Sequence, residues 1–233
     1  MYLGGSLNPK RIFEVLKFKS KFRKEHPLYF LPEGITVFCG SQGSGKTLSA
    51  VQLIQQLCKD YPNALFVTNT KIKDIPNKTI LCESANDMVE KLVDVSNGEK
   101  GVIYFIDEIQ TLLNSLQSKD IPIEVITELS QQRRQRKIIV GTSQVYTRMA
   151  KPLREQVKNI IICKKFFGFL QFNRFIDGES TVEVNGHLEY DTERFYFWFH
   201  DIKLYNSYET FGKIRSFIKS KKNNNFYTRG GAE

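Results

Sequence analysis

The stretch GSQGSGKT, residues 40–47, lies directly behind the apolar run ITVFC and ahead of LSAVQLIQQL. It reads as a phosphate-binding loop between a strand and a helix. Gly40, Gly43 and Gly45 allow the backbone to fold tightly enough for successive N–H groups to point at one anion, and the helix that follows adds its positive end. The predicted nucleotide-binding residues are Gly40, Ser41, Gln42, Gly43, Ser44, Gly45, Lys46, Thr47 and Leu48. Lys46 is expected to reach the β- and γ-phosphates and Thr47 to hold Mg²⁺. The flanking pattern supports this: residues 35–39 are β-branched or aromatic, and Leu48, Val51, Ile54 and Cys58 recur at helical spacing.

A second chemical element is VIYFIDEIQ, residues 102–110. A continuous apolar run of this kind suits a strand buried on both faces of a parallel sheet. Asp107, at its C-terminal end, falls where α/β sheets present ligand-binding groups and is a candidate Mg²⁺ partner. Glu108 is the candidate general base for an attacking water. By itself such a pair is also an ordinary acidic strand end; its place behind a phosphate loop gives it a catalytic meaning.

The run RKIIVGTSQ predicts a further strand over residues 137–142, followed by Ser143 and Gln144. Gln144 is the candidate sensor of the γ-phosphate, with a surface turn residue as the bland alternative. Ahead of it, DIPIEVITELSQQRRQRK reads as a helix capped by Asp120, with Pro122 in the first turn. Arg133, Arg134 and Arg136 at its end complement the helix C-terminus, or one of them reaches a neighbouring subunit's γ-phosphate as a finger in trans. Both readings stand at this stage.

At 233 residues with a net charge of +9, the chain has room for one principal α/β domain, and its charge favours polyanionic partners, nucleic acid or an anionic membrane surface. Four cysteines, Cys39, Cys58, Cys82 and Cys163, lie far apart without metal-ligand pairing, which suits buried free thiols in a reducing compartment. No apolar stretch approaches the ~20 residues that span a bilayer, and no signal-peptide core opens the chain. A cytoplasmic protein is expected, with peripheral attachment to the inner face of a membrane as a variant of that expectation.

The segmentation is a basic amphipathic segment over residues 1–30, a nucleotide-binding core over 31–165, a β-rich extension of the same domain over 166–212, and a basic tail over 213–233. In the first of these, Ile12, Val15, Leu16 and Phe22 predict a helix face that packs on the core, with another subunit or lipid as alternatives. In the third, TVEV-NG-HLEY predicts a hairpin turning at Asn185 and Gly186, with RFYFWFH as the next strand. Its aromatics are expected to pack between strands, or to stack on single-stranded bases.

These motifs together resemble the zonula-occludens-toxin-like ATPases, a family that includes the assembly and export ATPase of filamentous phages. The phosphate loop is close to that family's G-x-G-[SA]-G-K-[ST]-L pattern. VTN at residues 67–69 is similar to its second strand, VIYFIDEIQTLLNS to its carboxylate element, Arg133 to its helix-end arginine, and KLYNSYET at residues 203–210 to its Leu-Tyr-x-x-Tyr-[DE]-Thr segment. The resemblance implies a P-loop NTPase of the additional-strand catalytic-glutamate type, akin to the FtsK and HerA pumps. It further implies a homo-oligomeric ring, such as a hexamer, that hydrolyses ATP with Mg²⁺ and acts on single- or double-stranded DNA. It also implies work at an inner membrane, and peripheral attachment or a membrane-anchoring partner protein are the expected links to it. The alternatives read from the residues are a phosphotransferase with an arginine-bearing lid and a nucleotide-stabilised DNA- or membrane-binding scaffold. The absence of an Asn-Lys-x-Asp motif argues against a GTPase switch.

Overall fold

Strand β1, Gly34–Cys39, is buried along nearly its whole length and ends at the phosphate loop. The structure is a computed structural model and describes residues 9–111, 127, 129–178, 180–184, 187–189 and 192–208. The expected start of a helix at Asp120 and Pro122, the turn at Asn185 and Gly186, and the tail from Lys213 lie outside the described residues.

Helix α1 is Pro9–Glu25 and precedes β1. Helix α2, Lys46–Asp60, follows the loop. Strands β2 (Leu65–Thr68) and β3 (Thr79–Leu81), helix α3 (Ala85–Asp94) and strand β4 (Val102–Ile106) come next. Strand β5, Lys137–Ser143, is buried throughout. Strands β6 (Val157–Phe166), β7 (Leu170–Asp177), β8 (Val182–Val184), β9 (His187–Glu189) and β10 (Thr192–Phe199) complete the strands.

The main sheet has eight strands in the order β10-β7-β6-β1-β5-β4-β2-β3. From β6 to β3 every pairing is parallel, whereas β7 and β10 add on antiparallel at one edge. Strand β5 therefore lies between the loop-bearing β1 and the carboxylate-bearing β4, the arrangement that the resemblance implies. Alternation along the central strands divides the core between the two faces. Ile35, Val37, Tyr104 and Ile106 pack with Met88 and Leu92 of α3, while Phe38, Ile103 and Phe105 pack with Leu48, Val51, Ile54 and Cys58 of α2. Ser84 caps α3 by accepting a hydrogen bond from Asp87 N. Strands β8 and β9 pair with Val184 opposite His187, the register that a two-residue connection requires. All four cysteines are free and buried, as expected.

One expectation is corrected. Helix α1 forms, but Phe13, Val15, Leu16 and Phe18 are exposed, so its apolar residues do not dock on the core. At helical periodicity Val15, Leu16 and Phe22 fall on one side, but Lys19 lies among them and Phe13 points away, so the apolar face is interrupted by charge. Phe22 rests instead on the rings of His26 and Tyr29. The segment is anchored by Phe30, only 2% exposed, which packs against Tyr61 and fills the space left by Gly101. Among the described residues, no helix is long and apolar enough to cross a membrane.

Candidate active site

The phosphate loop is held from both sides. Gly40 N donates to Ser143 O at the end of β5 (3.2 Å), and Ser44 N donates to Ser41 O. Gly45 has a φ of 85°, in the left-handed region, and caps α2 without a side chain. The first backbone N–H groups of α2 therefore face the loop's hollow, where an anion can take them up. Ser44 Oγ is buried without a hydrogen-bond partner, a polar atom that a phosphate oxygen would satisfy.

The carboxylates of β4 meet the loop across β5. Thr47 Oγ1 lies 3.3 Å from Asp107 Oδ1, and Thr142 Oγ1 donates to the same oxygen at 2.7 Å. A hydroxyl and a carboxylate at this spacing are hard oxygen donors of the kind that bind Mg²⁺, so Thr47 and Asp107 fit that ion. Lys46 Nζ pairs with Glu108 Oε1 at 3.5 Å, in a setting where Lys46 is almost wholly buried. Glu108 sits at φ 56°, a left-handed conformation uncommon for a residue with a side chain. Its N–H donates to Thr142 Oγ1 at 2.9 Å, and Gln110 Nε2 donates to its second carboxylate oxygen. Two neighbouring hydroxyls thus hold Asp107, while a cation and an amide hold Glu108.

The other predicted residues are distributed unequally. Gln144 follows Ser143 directly, beside the first glycine of the loop, but its side chain is exposed and does not line the cleft. Arg133 lies in the helical turn Gln132–Gln135, which leads into the opposite end of β5. A seven-residue strand puts its backbone about 20 Å from the end that meets the loop. The fold therefore brings Lys46, Thr47, Asp107 and Glu108 together and leaves the backbone of Arg133 away from the loop of the same chain.

Several residues at the site were not singled out from sequence. Asn69, at the end of β2, donates to Asp107 O and accepts from Asp107 N, each at 2.9 Å, which clamps the carboxylate's backbone. On β7, Gln171 and Asn173 are fully buried. Gln171 Nε2 donates to Ser44 O at 3.0 Å, and Asn173 Nδ2 donates to Ser49 Oγ at 3.0 Å and to Tyr196 OH at 2.7 Å. Thus β7 is inverted: its amides face the loop and helix α2, and Phe172 faces outward, stacked on Phe195. The polar spacing at 171 and 173 was visible in the sequence, but ordinary alternation assigns such positions to solvent. A cleft of about 850 Å³ extends from Gln42–Leu48 past Asp107 and Glu108 on one side and reaches Lys165, His200, Tyr205 and Tyr208 on the other.

A parallel sheet with an extra strand between the phosphate loop and an acidic strand end, and with both ends converging on one cleft, defines a P-loop nucleoside triphosphatase. Residues 36–165 match the family described as ATPase family associated with various cellular activities (AAA), and the chain belongs to that family. It is accordingly a nucleotide-binding ATPase. Among solved structures, the fold is similar to the N-terminal domain of zonular occludens toxin from Neisseria meningitidis, at 22% identity and a TM-score of 0.51, covering 76% of this chain and 99% of that one. It is also similar to B204, the DNA-packaging ATPase of Sulfolobus turreted icosahedral virus, at 12% identity and a TM-score of 0.51, covering 69% and 97%. The B204 protein of Sulfolobus turreted icosahedral virus 2 in complex with ATP-gammaS gives 13% identity and a TM-score of 0.51, covering 68% and 96%. No curated protein matches the chain. The fold thus agrees with the family resemblance read from the motifs.

Proposed function

We propose that this ATPase is an oligomeric motor that moves the DNA of a virus or mobile element during virion assembly, export or genome packaging. Its catalytic core would be residues 31–165, extended by 166–212. The hydrolytic half rests on one observation, the convergence of the Thr47 and Asp107 oxygens, 3.3 Å apart, with the Lys46–Glu108 pair at the same cleft. Residues 40–48 wrap the triphosphate through their N–H groups, and Lys46 leaves Glu108 for the β- and γ-phosphates. Thr47 and Asp107 hold Mg²⁺, which when bound neutralises phosphate charge. Freed of its lysine, Glu108 takes a proton from a water whose oxygen bonds to the γ-phosphorus. The bond from that phosphorus to the bridging oxygen breaks, and its electron pair leaves with ADP.

Gln144, beside the loop, senses the γ-phosphate after a side-chain movement. Arg133, far from its own loop by backbone placement, acts in trans on a neighbour in a ring. Net charge of +9 supports a DNA partner. So does the outer face at the sheet edge, where Phe166, Phe195, Phe197 and Phe199 are exposed beside Lys164 and can stack on unpaired bases. B204, similar in fold, is named as a DNA-packaging ATPase. The motor acts in the cytoplasm, or at the inner face of a membrane through peripheral attachment or an anchoring partner protein.

The test is size analysis of the Glu108→Gln variant with ATP, alone and with single- or double-stranded DNA. Assembly into a ring that retains one of the two polymers is expected. A monomer that ignores both would overturn the motor assignment.

A further inference from the structure

The cleft does not end at the phosphate loop. On the side away from Asp107 and Glu108 it is walled by Lys165, His200 and Tyr205, contributed by the ends of β6 and β10 and by the short helix Ile202–Asn206. Tyr205 is held by its edge: its hydroxyl contacts His200 Nδ1 and lies 3.1 Å from Gly168 O. The residue is nonetheless 44% exposed. His200 is fixed in turn. Its Nε2 is 3.1 Å from Gln171 Oε1, and its ring packs against Trp198.

The hydrogen-bond roles along this chain follow from Gln171. Its amide group donates to Ser44 O and to Asn173 Oδ1, so its oxygen is the acceptor toward His200. His200 then donates from Nε2, and in the neutral ring Nδ1 and the carbonyl of Gly168 both face the single proton of the Tyr205 hydroxyl. A continuous run of partners, Ser44 to Gln171 to His200 to Tyr205, ties a partly exposed aromatic residue to the carbonyl of a loop residue. The distance from the phosphates to that ring is therefore set by the fold.

We infer that Tyr205 is the stacking platform for the nucleobase of the bound nucleotide, with Lys165 as the neighbouring cation. A partly exposed ring, fixed by its hydroxyl in the wall of the cleft, is what a planar heterocycle can stack on, and such stacking tolerates any base because every base has a π-face. The site therefore takes nucleoside triphosphates through two separable contacts, the loop for the phosphates and Tyr205 for the base. This inference rests on the ATPase assignment.

The experiment compares the affinity of the full chain for ATP and for inorganic tripolyphosphate, in the wild type and in Tyr205→Ala, Tyr205→Leu and Tyr205→Phe. Stacking of this kind predicts that Tyr205→Ala and Tyr205→Leu weaken ATP binding about tenfold while tripolyphosphate stays within about twofold. Tyr205→Phe keeps the π-face and should stay within about threefold of wild type for ATP. Unchanged ATP binding in both the alanine and leucine variants would overturn the inference. So would an equal loss for both ligands, which would mean that Tyr205 only shapes the loop. A wild type that binds neither ligand would instead overturn nucleotide binding itself, and the platform with it.

Discussion

Lys46 Nζ lies 3.5 Å from Glu108 Oε1, so the residue expected to hold phosphate and the residue expected to activate water occupy each other. On the proposed mechanism, the base is engaged by a cation until a triphosphate takes up the lysine and frees it. Glu108→Gln should keep ATP affinity within a fewfold and slow hydrolysis about 10²–10⁴-fold, the usual scale for loss of a positioned base. Lys46→Ala should instead abolish tight ATP binding. Single-turnover hydrolysis and equilibrium titration separate the two, and unchanged hydrolysis in Glu108→Gln would remove that residue from the base role.

Thr142, fully buried, donates to Asp107 Oδ1 and accepts from Glu108 N. Thr142→Val removes both contacts at nearly constant shape and leaves the partly buried N–H of Glu108 unpaired, at a cost of about 1–3 kcal/mol. Thr142→Ser should restore both contacts. Denaturant unfolding and the Mg²⁺ dependence of ATP hydrolysis test this together: serine rescues both and valine neither.

Gly45 combines a φ of 85° with a Cβ position only 2.0 Å from Gln171 Oε1. Gly45→Ala therefore carries about 1–2 kcal/mol of left-handed strain and displaces the amide that holds Ser44 O. ATP affinity should fall sharply. Adding Gln171→Ala should relieve the clash but not the strain, so the double variant is predicted to stay below wild type in titration.

His200 has its pKa lowered from 6.5 by burial and by the nearby charge of Lys165. With the folded value below the unfolded one, the unfolded chain binds more protons in the interval between them, so this contribution rises with pH there. It is fully present above about 6.5 and is lost as pH falls through the folded value. Urea unfolding of wild type and His200→Gln across pH 5–8 should show a shallower acid-side slope in the variant.

Phe30 and helix α1 make opposite predictions for neighbouring stretches of chain. Phe30→Ala empties a packed site and should cost about 3–5 kcal/mol. A chain beginning at Pro27, which loses the exposed residues of α1, should differ from wild type by no more than about 1 kcal/mol. Thermal unfolding of the two measures the contrast.

Sequence by itself determined the features that rest on local chemistry. The glycine spacing of residues 40–47 demands a tight turn, the unbroken apolar run of β4 demands burial on both faces, and the carboxylates at its end fall at the ligand-bearing edge of such a sheet. Together these defined the fold class and the four residues that meet at the cleft. Helix α1 was legible as a helix from its periodicity, but not in its placement, because periodicity says that a face exists and not that a surface waits for it. Only the tertiary structure decided what β7 does. Gln171 and Ser44 are 127 positions apart, and strand alternation assigns an amide to water unless another strand or loop supplies its partner. Here the antiparallel edge brings β7 against the phosphate loop, so the amides turn inward where carbonyls and hydroxyls need donors, and Phe172 turns out. The same packing sets His200 and Tyr205 at the far end of the cleft, a relationship between chain segments that local sequence patterns do not encode.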